Sequence, residues 1–171
     1  MKWPHDYFEN GYGYIRLEDL KLGELPRSLK IDGSELVIKP EFHISLVWVG
    51  RLKEMVNEPD KERVKQKMIE EFEEFTKEYP MTDFILTKEL RLVRKEDRKS
   101  IIAMAEVAGI DAFFERLARK YDVNLPVQPT HITLYTLPTD KIGIGILSYG
   151  ELDAYTEIID LPEIQGLLKK A

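Results

Sequence analysis

The chain has 171 residues, 43% of them hydrophobic and 33% charged, with a formal net charge of −6, which is enough for one compact domain with its own core. The absence of cysteine excludes disulfides and thiolate metal sites and fits a reducing compartment, so a cytoplasmic protein is expected. The acidic balance argues against a protein that coats nucleic acid non-specifically; Met1 to Asp6 does not read as a signal peptide and no apolar run reaches membrane-spanning length, so no membrane attachment is expected.

The opening is rich in aromatic residues, with Trp3, Tyr7, Phe8, Tyr12 and Tyr14 punctuated by Asn10-Gly11 and Gly13. Turns and a strand over 12–17 are predicted, laid over the core rather than forming a base-stacking lip. His5 lacks a Ser or Thr two positions on and is read as structural or exposed. Asp32-Gly33, between the apolar pieces 28–31 and 35–38, predicts a tight hairpin. A strand follows Pro40 over 42–49 and ends at Gly50. Asn57 or Glu58 ahead of Pro59 marks the start of a helix to Tyr79, with Val64, Met68, Phe72, Phe75 and Tyr79 on one stripe and Glu70, Glu71, Glu73, Glu74 and Glu78 on a solvated face. Strands are expected at 84–86, 90–93 and 100–107, and a second amphipathic helix at 110–121. The proline-bounded connection 122–129 leads to a strand over 131–137. Lys141-Ile142-Gly143-Ile144-Gly145-Ile146 matches no phosphate-loop spacing and reads as an edge or closely packed strand. Ser148 with Glu151 opens a helix expected to run through Ile158, and a last short helix is expected from Leu161 to Lys170.

Two of these strands carry the same phrase, His43-Ile44-Ser45-Leu46 and His131-Ile132-Thr133-Leu134. Alternate residues of a strand share a face. His43 therefore projects with Ser45, and His131 with Thr133, while Ile44, Leu46, Ile132 and Leu134 face a core. Imidazole gives or takes a proton near neutral pH. Two imidazoles around one bound atom can act as general base and general acid, and the hydroxyls can donate to an anionic oxygen held between them, as in a phosphate. This scheme needs no metal.

These two H-x-[ST] motifs, with their shared His-Ile and Leu, make the span from about Leu36 to Leu137 resemble the two-histidine (2H) phosphoesterase superfamily of 2'-5' RNA ligase-like proteins and cyclic nucleotide phosphodiesterases. Ser45 stands where threonine is more usual, keeping the hydroxyl and losing the methyl that stiffens the rotamer. The order of elements, with the resemblance, implies a single α+β domain over 1–171. It is expected as two pseudo-symmetric lobes of antiparallel sheet with outer helices, about 36–80 and 81–146, facing across a central cleft.

The resemblance implies a metal-independent, cofactor-free phosphoesterase acting on a 2',3'-cyclic phosphate or a 2'-5' linkage at an RNA end or in a small nucleotide. His43 and His131 would be catalytic, with Ser45 and Thr133 binding phosphate. For substrate contacts Tyr135, sharing the face of His131 and Thr133, is the best placed, ahead of the cations Lys39, Arg51, Lys88, Arg91 and Arg94. The partner expected is an RNA end or small nucleotide bound by a monomer. The alternative is a module that binds a nucleotide or RNA end in the same cleft without turning it over. A metal held by the two histidines is a weaker third reading, because their neighbours are hydroxyls rather than a third imidazole or a carboxylate.

Overall fold

The computed structural model describes residues 8–9, 12–16, 25–81 and 83–168. Two short strands, β1 (Phe8–Glu9) and β2 (Tyr12–Arg16), pair with each other at its start. Asp32 and Gly33 both take positive φ, 49° and 71°, as a two-residue type I′ turn requires. They close the expected hairpin of β3 (Ser28–Ile31) and β4 (Ser34–Ile38). The first motif lies on β5 (His43–Trp48), and the chain then turns directly into a short helix that the sequence reading had not anticipated, α1 (Val49–Met55). Neither Gly50 nor the uncapped Trp48 advertises a helix start, and α1 is held through its buried Val49 and Leu52.

The long amphipathic helix is α2 (Lys61–Glu78); its cap is Asp60, whose carboxylate accepts from the Arg63 amide at 3.0 Å, rather than Asn57 or Glu58. It packs on α3 (Ile110–Tyr121), with the Phe72 and Phe113 rings edge to face at 5.2 Å. One glutamate of the face expected to be solvated is buried: Glu71 is paired with Arg116 and Lys120 of α3. Burial works against its charge, yet the hydrogen bonds from Lys120 and Arg116 prevail and hold the carboxyl below its ordinary range.

Between the helices runs a long hairpin, β6 (Phe84–Lys95) and β7 (Arg98–Val107). The two strands expected at 84–86 and 90–93 are one, interrupted where the register slips between Leu86 and Leu90 around Lys88 at φ 64°. The second motif is on β8 (His131–Thr136). Ser148 caps α4 (Tyr149–Tyr155), its hydroxyl accepting from the Glu151 amide while the Glu151 carboxylate accepts from the Leu147 amide. This helix stops short of Ile158: residues 156–159 form β9 (Thr156–Ile159), paired with β6, and α5 (Pro162–Leu167) follows. The 141–146 segment is not a strand but an irregular strap.

The fold is α+β, and its strands form one curled antiparallel sheet in the order β1-β2-β5-β8-β7-β6-β9, with the β3–β4 hairpin joined through β4 to β8. The motif strands are therefore neighbours within one sheet. One face carries the main core with α1, α2 and α3, built on residues such as Ile44, Leu46, Ala103, Ile132 and Leu134. The other carries a smaller cluster in which Ile144, Ile146 and Leu152 cover Val93, Ile102 and Met104. No helix among the described residues is long and apolar enough to cross a membrane.

Candidate functional site

The site is set by one backbone pairing. Ile44 of β5 lies opposite Ile132 of β8 in the antiparallel ladder, and one step either way that register sets His43 opposite Thr133 and Ser45 opposite His131. Directly opposed residues share a face with Cβ atoms about 4.5–5.5 Å apart. Each imidazole thus faces the hydroxyl of the other motif, and the four side chains form a patch on the face away from Ile44 and Ile132, which are fully buried. Along β7 the row continues with Met104 beside His131 and Ile102 beside Thr133, both members of the smaller apolar cluster.

The two imidazoles sit in unlike surroundings. His131 is 5% exposed, whereas His43 is half-buried. The Nδ1 of His131 lies 3.2 Å from the Pro129 carbonyl oxygen, an atom that can only accept, so Nδ1 carries the proton and Nε2 keeps its lone pair. Burial drives the His131 pKa down to about 4; the bond to Pro129 pushes the other way and the nearby His43 adds to the lowering. At neutral pH His131 is an uncharged imidazole offering a base.

The strap runs over the same face of the sheet. Gly143 takes φ 85°, and a Cβ there would stand 3.3 Å from Thr133 Cγ2 and 3.4 Å from its Oγ1; a Cβ on Gly145 would meet Trp48 at 2.9 Å. The Gly-Ile alternation is thus read by packing: glycines lie against site-face side chains, while Ile144 and Ile146 fill the cluster beside them. Neither the strap's role nor Trp48 was legible beforehand. Strict alternation puts Trp48 with the core, but β2 pairs Gly13 with Val47 and Tyr14 with Ser45, leaving Leu46 as an extra residue. That bulge turns Trp48 toward the strap.

A second bulge removes a predicted contact. β7 pairs Ile101 with Tyr135 and Ile102 with Thr133, so Leu134 is the extra residue on β8. Tyr135 therefore does not share the face of His131 and Thr133, as simple alternation predicts. It is fully buried in the main core, its hydroxyl donates to the Pro26 carbonyl at 2.9 Å, and burial pushes its pKa up to about 12.

The candidate cations separate in the same way. Arg94 is bound by Asp32 and Glu157, and the Lys88 carbonyl accepts from Gln165 at the kink of β6. Arg91 is on the site face, since it pairs with Ile102, but it lies two strands from β8 and is bound to Glu89 and Thr156. Arg51 stacks over Trp48, 5.5 Å from the ring centre. Lys39 joins the second motif's strand to the strap. Its amide donates to the Leu134 carbonyl at 2.8 Å and its ammonium to the Lys141 carbonyl of the strap. Burial lowers its pKa, opposed by Asp140 and Glu41, and no carboxylate among the described residues lies within ion-pair distance of it.

Among the described residues no group of three or more His, Cys, Asp or Glu side chains is arranged to hold a metal ion. The fold and the site define an α+β protein with two His–hydroxyl motifs cross-paired on adjacent antiparallel strands. Comparison with known proteins adds no relative: no family model, curated protein or solved structure matches the chain.

Proposed function

We propose that the protein is a metal-independent phosphoesterase that opens 2',3'-cyclic phosphates, or cleaves 2'-5' linkages, at RNA ends or in small nucleotides. The observation that carries the reading is the Ile44–Ile132 pairing, which brings two imidazoles and two hydroxyls to one patch. Within it His131, neutral with a free Nε2, takes the proton of the attacking water. A new P–O bond forms, the bond to the ribose 3'-oxygen breaks, and His43 delivers a proton to that oxygen. A phosphodiester anion between the rings offsets the desolvation of His131 and raises its basicity. Ser45 and Thr133 donate to the non-bridging oxygens as charge builds on them, and Lys39 at the rim adds positive charge. On this reading the chain divides into two pseudo-symmetric lobes, about 36–80 and 81–146, that face each other across a cleft at the Ile44–Ile132 pair.

The test is turnover of the four nucleoside 2',3'-cyclic monophosphates and of a short RNA ending in a cyclic phosphate, with chelator present. The expected product carries a 2'-phosphate, and His43→Ala and His131→Ala each lower kcat by about 10²–10⁴-fold. Tight binding of these nucleotides without turnover would instead make the site a nucleotide-recognition module, and activity lost to chelator would replace the proton-transfer scheme with a metal-dependent one.

A further inference from the structure

Threonine in the second motif and serine in the first differ by one methyl group, and the strap passes beside the threonine. A Cβ on Gly143 would stand 3.3 Å from Thr133 Cγ2 and 3.4 Å from its Oγ1. The strap does not hold itself there by apolar contact alone, because Lys141 and Ile142 are exposed, Ile142 at 82%. What fixes it is a clamp from β7. Arg98 donates from Nε to Asp140 Oδ2 at 2.8 Å, from Nη2 to Asp140 Oδ1 at 3.1 Å, and from Nη2 to the Gly143 carbonyl. Asp140 Oδ1 in turn accepts from the Ile142 amide at 3.3 Å and the Gly143 amide at 3.2 Å. Burial opposes the Asp140 charge, but Arg98 and these amides prevail and hold its carboxyl below the ordinary range.

The turn from Asp140 to Gly143 is thus closed by its own carboxylate and tied to the sheet through a bidentate guanidinium, a geometry that lysine cannot reproduce. Its Asp140, Ile142 and Gly143 amides are already occupied, which leaves them unavailable for cradling a phosphate. Its open function is steric: a strap held beside a threonine narrows the space left to its χ1 rotamers and so bears on where the hydroxyl aims. We infer that Arg98 is a positioning residue, acting through Asp140 and Gly143 to aim the Thr133 hydroxyl at the phosphoryl oxygen. This rests on the phosphoesterase reading for its chemistry but not for its geometry.

The experiment is a double-mutant cycle on the full chain, using kcat/KM for a nucleoside 2',3'-cyclic phosphate in wild type, Arg98→Gln, Thr133→Val and the double variant, beside the Thr133 χ1 populations from methyl NMR couplings. Arg98→Gln is expected to lose about tenfold in kcat/KM with the native Thr133 and less than twofold beside Thr133→Val, because the group it aims is then gone. It should also move Thr133 from one rotamer to a mixture. Equal losses in both backgrounds, or no loss, would overturn the proposal, as would an unchanged rotamer. If wild type turns over no cyclic phosphate the phosphoesterase reading fails, and the rotamer measurement alone still judges the clamp. Were Arg98→Gln to unfold, Asp140→Asn gives the same comparison with the side-chain shape retained.

Discussion

At the scale of single residues the consequential group is His131. Its pKa of about 4 in the folded chain lies below the value near 6.5 of an unfolded histidine, so the sign of the linkage is set. Above pH 6.5 neither state is protonated and nothing is lost. As pH falls from 6.5 toward 4 the unfolded chain takes up a proton that the folded chain refuses, and stability declines by roughly 3 kcal/mol. Urea unfolding across this range should show that decline in wild type and a visibly flatter profile in His131→Gln; parallel profiles would mean that the imidazole is not desolvated. That burial separates the two histidines could not be read from the motifs. His-Ile-Ser-Leu and His-Ile-Thr-Leu look equivalent as strings, and only the folded chain buries one imidazole more deeply than the other.

At the scale of elements, alternation worked wherever a strand is regular and failed at each bulge. It placed His43 with Ser45 and His131 with Thr133 on one face, because in each motif the extra residue comes after the hydroxyl and none lies between it and the histidine. One residue further along β8, Leu134 is unpaired on β7, and Tyr135 turns into the core instead of the site. Tyr135→Phe should therefore cost about 1 kcal/mol in thermal or denaturant unfolding through the lost bond to Pro26, while KM for any nucleotide stays at the wild-type value. A raised KM with unchanged stability would return Tyr135 to the substrate. The helices were more legible than the strand ends. The stripe of α2 is set by spacing alone, but β9 carries no pattern that separates it from the end of α4: Thr156-Glu157-Ile158-Ile159 becomes a strand because the edge of β6 is there to pair with.

At the scale of the molecule, the acidic net charge of −6 and the scarcity of uncommitted cations at the site limit how much nucleic acid the surface can hold. Among the described candidates Arg91, Arg94 and Arg98 are all bound to carboxylates, whereas Lys39 lies on a strap carbonyl and Arg51 over Trp48. Binding that engages one or two phosphates gives a slope of about −1 in log kcat/KM against log salt, since each phosphate contact on a single strand contributes about −0.7. Cyclic-phosphate-ended RNAs of increasing length should reach constant kcat/KM within a few nucleotides. A steep salt slope that grows with length would reveal a longer binding track.

The sequence by itself determined the two His–hydroxyl motifs, the hairpin, the two long amphipathic helices and the α+β class. Each is written in local periodicity or in a turn residue, and neighbours along the chain suffice to read it. Tertiary structure alone decided that β5 and β8 are adjacent, that the motifs cross-pair through Ile44 and Ile132, and that Tyr135 is core and Trp48 faces the strap. It also decided that His131 is the neutral imidazole. These depend on strand order, on register, and on which distant segment excludes water from a side chain, and none of the three is fixed by the spacing of residues along the chain.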